Sequence, residues 1–397
     1  MRHKLDRADS LNPSRARPLR IAPTSPPAAK NKGDNMEFMP LKGIRVLDFS
    51  HVIAGPFASH YLAQMGADVL KVENVNGGDV MRRNAKGPRS YLAFNAGKKH
   101  LALDITSEEG RKRVLDEVAR ADILLDNLKP GTLEKNGFGP DDLSKINPRL
   151  IYCAISGFGR EGTWSKRLAY DHVVQAATGM MLMAGGEGDP PIKTGFPVID
   201  TATGIIGALA IVSALHERER TGRGTFLDVS MTGAAMQLMY PFACEAMTTG
   251  ESPSRVGNQG YSGSPAADLF STADGRIALG VNTPKQFLAL LGVLGMLDAA
   301  ENPDFFEMPI DASAPASFLR SRDPAALKAA LAERISAWSG EQLERELMEV
   351  QVPAAQVQRI GEFAEQALRQ GGLARVRLEE GEDYVHSPGL GFRTRQL

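Results

Sequence analysis

The chain has 397 residues, 43% of them hydrophobic and 23% charged, which is two or three domains' worth of core and excludes a mini-protein or a mainly disordered chain. Its 46 Lys and Arg offset 47 Asp and Glu, for a formal net charge of -1; with no basic excess, neither nucleic acid nor a membrane surface is expected as a partner. Cys153 and Cys244 are too few for a disulfide framework, lack the CxxC spacing of zinc or redox sites, and read as buried free thiols of a cytoplasmic protein.

Residues 1–35 carry eight Lys and Arg against three Asp, with five prolines and no aromatic residue. Such a stretch cannot bury enough apolar surface to order itself, and its prolines interrupt the amphipathic helix of a transit peptide; a disordered extension upstream of a start at Met36 is expected. Short apolar runs bounded by turn signals then predict strands at 44–50, 68–73, 100–105, 123–127 and 150–156. Helices are expected near 56–65 and after Ser107, where Ser107-Glu108-Glu109-Gly110 reads as a capping box. This alternation implies a parallel sheet sandwiched by helices. A long helix follows from about 201 to 220, closed by Thr221-Gly222-Arg223-Gly224. Its apolar run, 204–215, is shorter than the roughly 18 residues of a membrane span.

After a strand at 225–231 the alternation ends. Loops rich in Gly, Ser and Pro surround a hairpin turned at Ala273-Asp274-Gly275, and Leu327, Leu331, Ile335 and Trp338, then Leu343, Leu347 and Val350, keep helical spacing. A large domain over 36–225 and a smaller one over 226–344 are expected.

The turn from Ser50 to Pro56 holds one glycine where a dinucleotide site needs GxGxxG. Walker, GxSxG and HExxH motifs are absent, and seven histidines show no metal-ligand spacing, so no metal is expected. What remains are polar residues at strand ends, His51, Asn127, Ser156 and Asp200, where an open α/β sheet places ligands. Asp200 sits at the mouth of the long helix and reads either as a functional carboxylate or as the helix N-cap, with the local sequence favouring the cap. Asp171 likewise reads as an N-cap and His172 as a surface residue. Met180, Met181 and Met183 read as soft core filling.

Taken together, LKGIRVLDFSHVIAGP (41–56), GADVLKVE (66–73), FNAGKKHLALD (94–104), ADILLDNLKPGTLEKNGF (121–138), NPRLIYCAISGFG (147–159), AYDHVVQAATG (169–179) and the segment from PVIDTATG to ERERTGRG (197–224) resemble the class III CoA-transferases. That family includes formyl-CoA transferase and carnitine CoA-transferase, with α-methylacyl-CoA racemase as a relative. The resemblance runs from Leu41 to Gly391. It implies an α/β fold: a Rossmann-like parallel-sheet large domain plus a smaller α+β domain, in an interlocked homodimer, with residues 345–397 returning to the large domain.

The resemblance reverses the weighting of Asp200, which falls on the family's catalytic aspartate, and puts Asp171 on a supporting acidic position. Val52, Leu103, Asn127 and Leu128 match positions lining the CoA site, and Lys135 one that meets the CoA phosphates. Asn74 and Leu168 depart from an arginine and a lysine of formyl-CoA transferase, leaving Lys71 or Arg167 for those nucleotide contacts. Ile53 departs from its glutamine, which argues against oxalate and formate. Gly257, Gly260 and Gly263 fall near a glycine-rich loop that shields the family's intermediate, against their plain reading as a surface turn.

The implied reaction moves CoA from an acyl-CoA donor to a carboxylic acid acceptor through an aspartyl-CoA thioester on Asp200, with the CoA thioester as substrate and no permanently bound cofactor. Backbone N–H groups at the start of the Asp200 helix are expected at the oxyanion. Arg82, Arg83 or Arg255 are candidates for the second carboxylate of a small dicarboxylic acid such as succinate. Tyr170 stands where a racemase has its histidine base, and a group with pKa near ~10 is a poor base at neutral pH. Transferase therefore outweighs a racemase-like isomerase and a non-catalytic CoA-ester binding protein.

Overall fold

The computed structural model describes residues 38–83, 88–313 and 318–395; the extension expected at 1–35 lies outside them. The chain begins as alternating units: β1 (Arg45–Asp48), α1 (Ala54–Gln64), β2 (Asp68–Glu73), α2 (Pro88–Asn95), β3 (Lys99–Ala102), α3 (Glu108–Val118), β4 (Ile123–Asp126), α4 (Pro140–Ile146), β5 (Ile151–Ser156), α5 (Asp171–Ala177), α6 (Val198–Thr221) and β6 (Phe226–Ser230). The six strands are parallel in the order β3-β2-β1-β4-β5-β6. This is the mixed α/β architecture, a parallel sheet between helices, that the alternation implied.

β4 and β5 are buried at every residue, as strands covered on both faces must be. α1 and α6 cover one face, where Leu62 and Ile211 join Val46, Ile123 and Ile155. α3 and α4 cover the other, where Val114, Val118 and Leu143 join Leu47, Leu124 and Tyr152. The capping box at α3 is half formed. Ser107 Oγ accepts the Gly110 N–H at 3.0 Å, but the position that should carry a reciprocating Glu is Gly110, where a Cβ would lie 1.9 Å from the Asp104 carbonyl oxygen.

α6 begins three residues before its expected start and is 24 residues long. By length and composition it could cross a bilayer, yet Ala208, Ile211 and Leu215 are buried in the core of the sheet. It crosses α1 closely because Gly204 carries no side chain: a Cβ there would meet the Ala54 carbonyl oxygen and Phe57 Cβ, each at 2.9 Å. Gly204→Ala should force the helices apart and lower stability by about 1–3 kcal/mol, the usual size of an overpacking penalty. Urea denaturation would read this as a lower midpoint at unchanged slope; an unchanged midpoint would show that the crossing has slack.

α7 (Met231–Leu238) and α8 (Tyr240–Thr249) follow, and then a second body forms. Its antiparallel sheet joins β7 (Leu269–Ser271), β8 (Arg276–Leu279) and β9 (Ala354–Gln356). α9 (Pro284–Leu294), α10 (Pro324–Ile335) and α11 (Gly340–Glu349) complete it, around a core that includes Phe270, Ile277, Phe287, Leu331, Leu347 and Val352. The expected boundaries of 226 and 344 therefore shift. β6 pairs with β5 as one more parallel crossover, and β9 pairs with β8, so the smaller core spans Ala266 to Gln356.

The chain then runs through α12 (Ile360–Arg369) into a hairpin of β10 (Val376–Glu380) and β11 (Asp383–Ser387). This hairpin lies on α2 of the large body, where Leu378 packs with Leu92 and Ala96. His100 Nε2 lies 3.4 Å from Glu380 and His100 Nδ1 3.5 Å from Glu73.

Candidate active site

The strand order reverses between β1 and β4, and in such sheets ligands bind outside the carboxyl ends at that point. The turn leaving β1 and the residue leaving β4 are stapled together here. Asn127 Oδ1 accepts the His51 N–H, and Asn127 Nδ2 donates to the His51 carbonyl, both at 2.8 Å. Burial holds the His51 imidazole below its usual pKa range, against the pull of Asp79, and its Nδ1 has no partner among the described residues. Val52 follows at φ 66°, a backbone conformation that β-branched residues rarely take. Gly55 is needed for the close approach behind this turn: a Cβ there would lie 2.3 Å from Ser50 Cβ.

Two buried ion pairs lie beneath the turn. Lys71 Nζ is 3.3 Å from Asp79 and donates to the Ser50 carbonyl at 2.5 Å. Asp79 accepts the N–H groups of Val52, at 3.2 Å, and Met81, at 3.0 Å. Lys98 Nζ is 3.3 Å from Asp48 and also reaches the Pro56 carbonyl and Asn95 Oδ1. Burial works to raise the Asp48 pKa, but Lys98, Lys71 and the hydroxyls of Ser50 and Ser59 outweigh it and hold the carboxyl low. Lys71 is fully buried and cannot meet a nucleotide, which removes it as a replacement for the family's missing basic contact.

Asp200 occupies the first turn of α6, whose N-cap is Pro197 and carries no side-chain capping bond. Asp200 is thus not the cap. The cap is supplied from another helix: Asp171, the first residue of α5, accepts the N–H groups of Ile199 at 2.8 Å and Asp200 at 3.0 Å, while its other oxygen accepts Gln175 Nε2 at 2.6 Å. These N–H groups are therefore committed to Asp171, and the expectation that they would serve an oxyanion does not hold. The Asp200 carboxylate itself receives no hydrogen bond among the described residues. Burial, and second the Asp171 carboxylate nearby, push its pKa up to about 7. Gly204 lies one turn further along the same helix face and packs against Ala54 and Phe57 at the start of α1.

The other expected residues fall along the same carboxyl edge. Leu103 follows β3, its N–H bound to the Glu73 carbonyl. Leu128 follows β4, its N–H bound to Asp126 Oδ1 at 3.0 Å; both side chains are partly buried against the sheet. Lys135 is exposed on a short 3-10 turn, and its ammonium has no ion pair among the described residues. Ser156 Oγ, at the end of β5, is buried and has no hydrogen-bond partner among the described residues. Tyr170 and His172 stack on one another at the surface, 6.3 Å between centroids. Arg167 lies over the Trp164 and Phe158 rings, at 4.5 and 5.8 Å from their centroids, rather than on a carboxylate.

The three arginines proposed for a second carboxylate are already engaged. Arg82 binds Glu73 in bidentate fashion, with both bonds at 2.8 Å. Arg83 donates to the Gly77 carbonyl, and Arg255 to the carbonyls of Ala184, Asp189 and Pro190. In the segment of Gly257, Gly260 and Gly263 the N–H groups of Gly257 and Gly260 bond to the carbonyls of Gly185 and Ala267, leaving Tyr261 projecting at 89% exposure. Among the described residues no cluster of His, Cys, Asp and Glu could hold a metal ion.

The family model described as CoA-transferase family III matches residues 41–397. An acyl-CoA transferase of Fusarium pseudograminearum is 35% identical over 68% of this chain and 62% of its own length. A succinyl-CoA:mesaconate CoA-transferase of Haloarcula marismortui is 36% identical over 80% of each chain. The crystal structure of a CAIB/BAIF family protein from Brucella suis superposes with a TM-score of 0.73 at 31% identity, covering 90% of this chain and 96% of that one.

Proposed function

The chain belongs to CoA-transferase family III, and from that premise we propose that it transfers CoA from an acyl-CoA thioester to a carboxylic acid with Asp200 as nucleophile. The observation that carries this reading is the Asp200 carboxylate, which accepts no hydrogen bond among the described residues, sits in the first turn of α6, and is made more basic by burial and by Asp171. A carboxylate relieved of its donors is a stronger nucleophile than one in water, and fixed placement supplies most of the remaining advantage.

The steps balance without a further reactant. The Asp200 carboxylate attacks the donor thioester carbonyl, forming a mixed anhydride and expelling CoA thiolate. The thiolate attacks the aspartyl carbonyl, releases the donor acid as its carboxylate and leaves an aspartyl-CoA thioester. The acceptor carboxylate then attacks that thioester, again expelling thiolate, which captures the acceptor acyl group and returns Asp200 as a carboxylate. Asp171 acts as a positioning residue by fixing the first turn of α6. The first turn of α1, which carries no side-chain cap, offers N–H groups at the same edge for the oxyanion. The loop bearing Gly257, Gly260 and Gly263 is the proposed cover over the anhydride.

Val52, Leu103, Asn127 and Leu128 line the proposed CoA path along the sheet edge. Lys135 and Arg167 are its proposed phosphate contacts, being cations without carboxylate partners among the described residues. A small dicarboxylate is the proposed substrate class, supported by the substrates named for the Haloarcula relative. A homodimer is supported by apolar side chains left exposed, Ile205 and Leu209 on α6 and Met247 on α8.

Mass spectrometry of wild type and Asp200→Ala, each incubated with succinyl-CoA and a panel of carboxylic acids, tests the reading. Wild type should yield a new CoA ester and a CoA adduct on the peptide containing Asp200, and the variant neither. Unchanged transfer by the variant would overturn the assignment.

A further inference from the structure

We propose that Lys71 and Asp79 are positioning residues for the CoA site, which together with Asn127 and Asp48 fix the backbone of the turn Ser50 to Val52 and hold Val52 in its left-handed conformation. This rests on the reading of the switch-point edge as a CoA site and adds the device that shapes it.

Every backbone polar group from the Ser50 N–H to the Val52 N–H is taken by a buried or part-buried side chain. Asp48 Oδ1 accepts the Ser50 N–H at 2.8 Å, and Lys71 Nζ donates to the Ser50 carbonyl at 2.5 Å. Asn127 takes both His51 groups, and Asp79 accepts the Val52 N–H. Asp79 is itself held by its own N–H donating to Glu73 Oε2 at 2.9 Å. These side chains come from β1, β2, the loop after β2 and the end of β4, so one short turn is gripped from four segments of chain.

Stability alone is a weak explanation for this arrangement. Lys71 and Asp79 are 0% and 3% exposed, and burying such a pair loses hydration that an apolar pair of the same shape would not. Val52 adds backbone strain at the same place. Two unfavourable features converge on three residues at the topological switch point, where a ligand meets backbone. Their common effect is a turn with one allowed shape before any ligand arrives, which reduces the ordering needed on binding.

The test uses the full chain with Val52→Gly, Val52→Ala and Asp79→Asn, reading CoA affinity by isothermal titration calorimetry alongside Tm. Val52→Gly removes the strain and should keep or raise Tm while weakening CoA binding about fivefold or more; a misplaced contact edge commonly has effects of this size. Val52→Ala loses the same methyl groups but keeps the Cβ that restricts the backbone, so it reports the share of any loss that comes from side-chain contact with CoA, and it should weaken binding clearly less than Val52→Gly. Asp79→Asn should weaken binding about tenfold and raise KM more than it lowers kcat. Affinity and Tm moving in opposite directions in Val52→Gly is a pattern that a purely structural role does not produce. Wild-type affinity in Val52→Gly, or an equal loss in Val52→Ala, would overturn the positioning role even if Asp79→Asn fails to fold. A wild type that does not bind CoA at all would instead overturn the site reading on which the inference rests.

Discussion

Asp200→Asn is expected to lower CoA transfer at least about 10⁴-fold, a loss typical of removing a covalent nucleophile, and at the same time to raise stability at pH 8. The second effect follows from the raised pKa. In the unfolded chain the carboxyl ionises near 3.8, whereas in the fold it does so at about 7. Between those values the folded state holds a proton that the unfolded state has released, so stability falls as pH rises across this window and the full penalty is present above it. Asparagine cannot ionise and escapes the penalty. Allowing for the partial exposure of Asp200, the gain is about 2 kcal/mol at pH 8, shrinking towards zero near pH 4. Thermal denaturation of both proteins across pH 4–8 measures it, and parallel Tm curves would show that Asp200 is not held protonated by its surroundings. Wild-type transfer should correspondingly climb with pH through about 7 and level off above it.

Lys98→Met is expected to be the most damaging single substitution for stability. Asp48 is fully buried, and Lys98 is its nearest countercharge at 3.3 Å. Removing one partner of a buried pair leaves an uncompensated charge, at a cost of about 3–5 kcal/mol. The lysine is itself under strain from the same burial, which holds its ammonium well below the usual lysine range. Adding Asp48→Asn to Lys98→Met removes the stranded charge and should recover more than half of the loss. Chemical denaturation of the two single variants and the double variant gives the coupling energy. Strictly additive losses would show that the pair does not act as a unit.

These buried charges were the least legible part of the molecule. The strands of the parallel sheet could be read because burial on both faces forces uninterrupted apolar runs, as in Ile123–Asp126 and Ile151–Ser156. The 3.6-residue spacing of Leu327, Leu331 and Ile335 likewise marked a helix whose apolar side is buried in the small core. Lys71 and Lys98 look like surface residues, since nothing local shows that their partners, Asp79 and Asp48, come from other segments. The resemblance drew attention to Asp200 and Asp171, but local sequence suggested two separate N-caps. The actual arrangement is one carboxylate capping another helix across 28 residues of chain, which no local pattern encodes. The C-terminal hairpin was hidden for a related reason: in Val376–Glu380 only Val376 and Leu378 pack towards α2, and two apolar residues two positions apart are too few to read as a period.

The return of that hairpin to α2 has a mechanical consequence. The chain crosses from the large body to the small one after α8 and comes back through α12, so the small body hangs on two covalent straps. Cutting either strap with a protease would leave it attached by the other. A nick between Gly250 and Ser264 would yield two fragments still joined through the β10–β11 hairpin seated on Leu92 and Ala96, and they would travel as one particle on a sizing column until denaturant parted them.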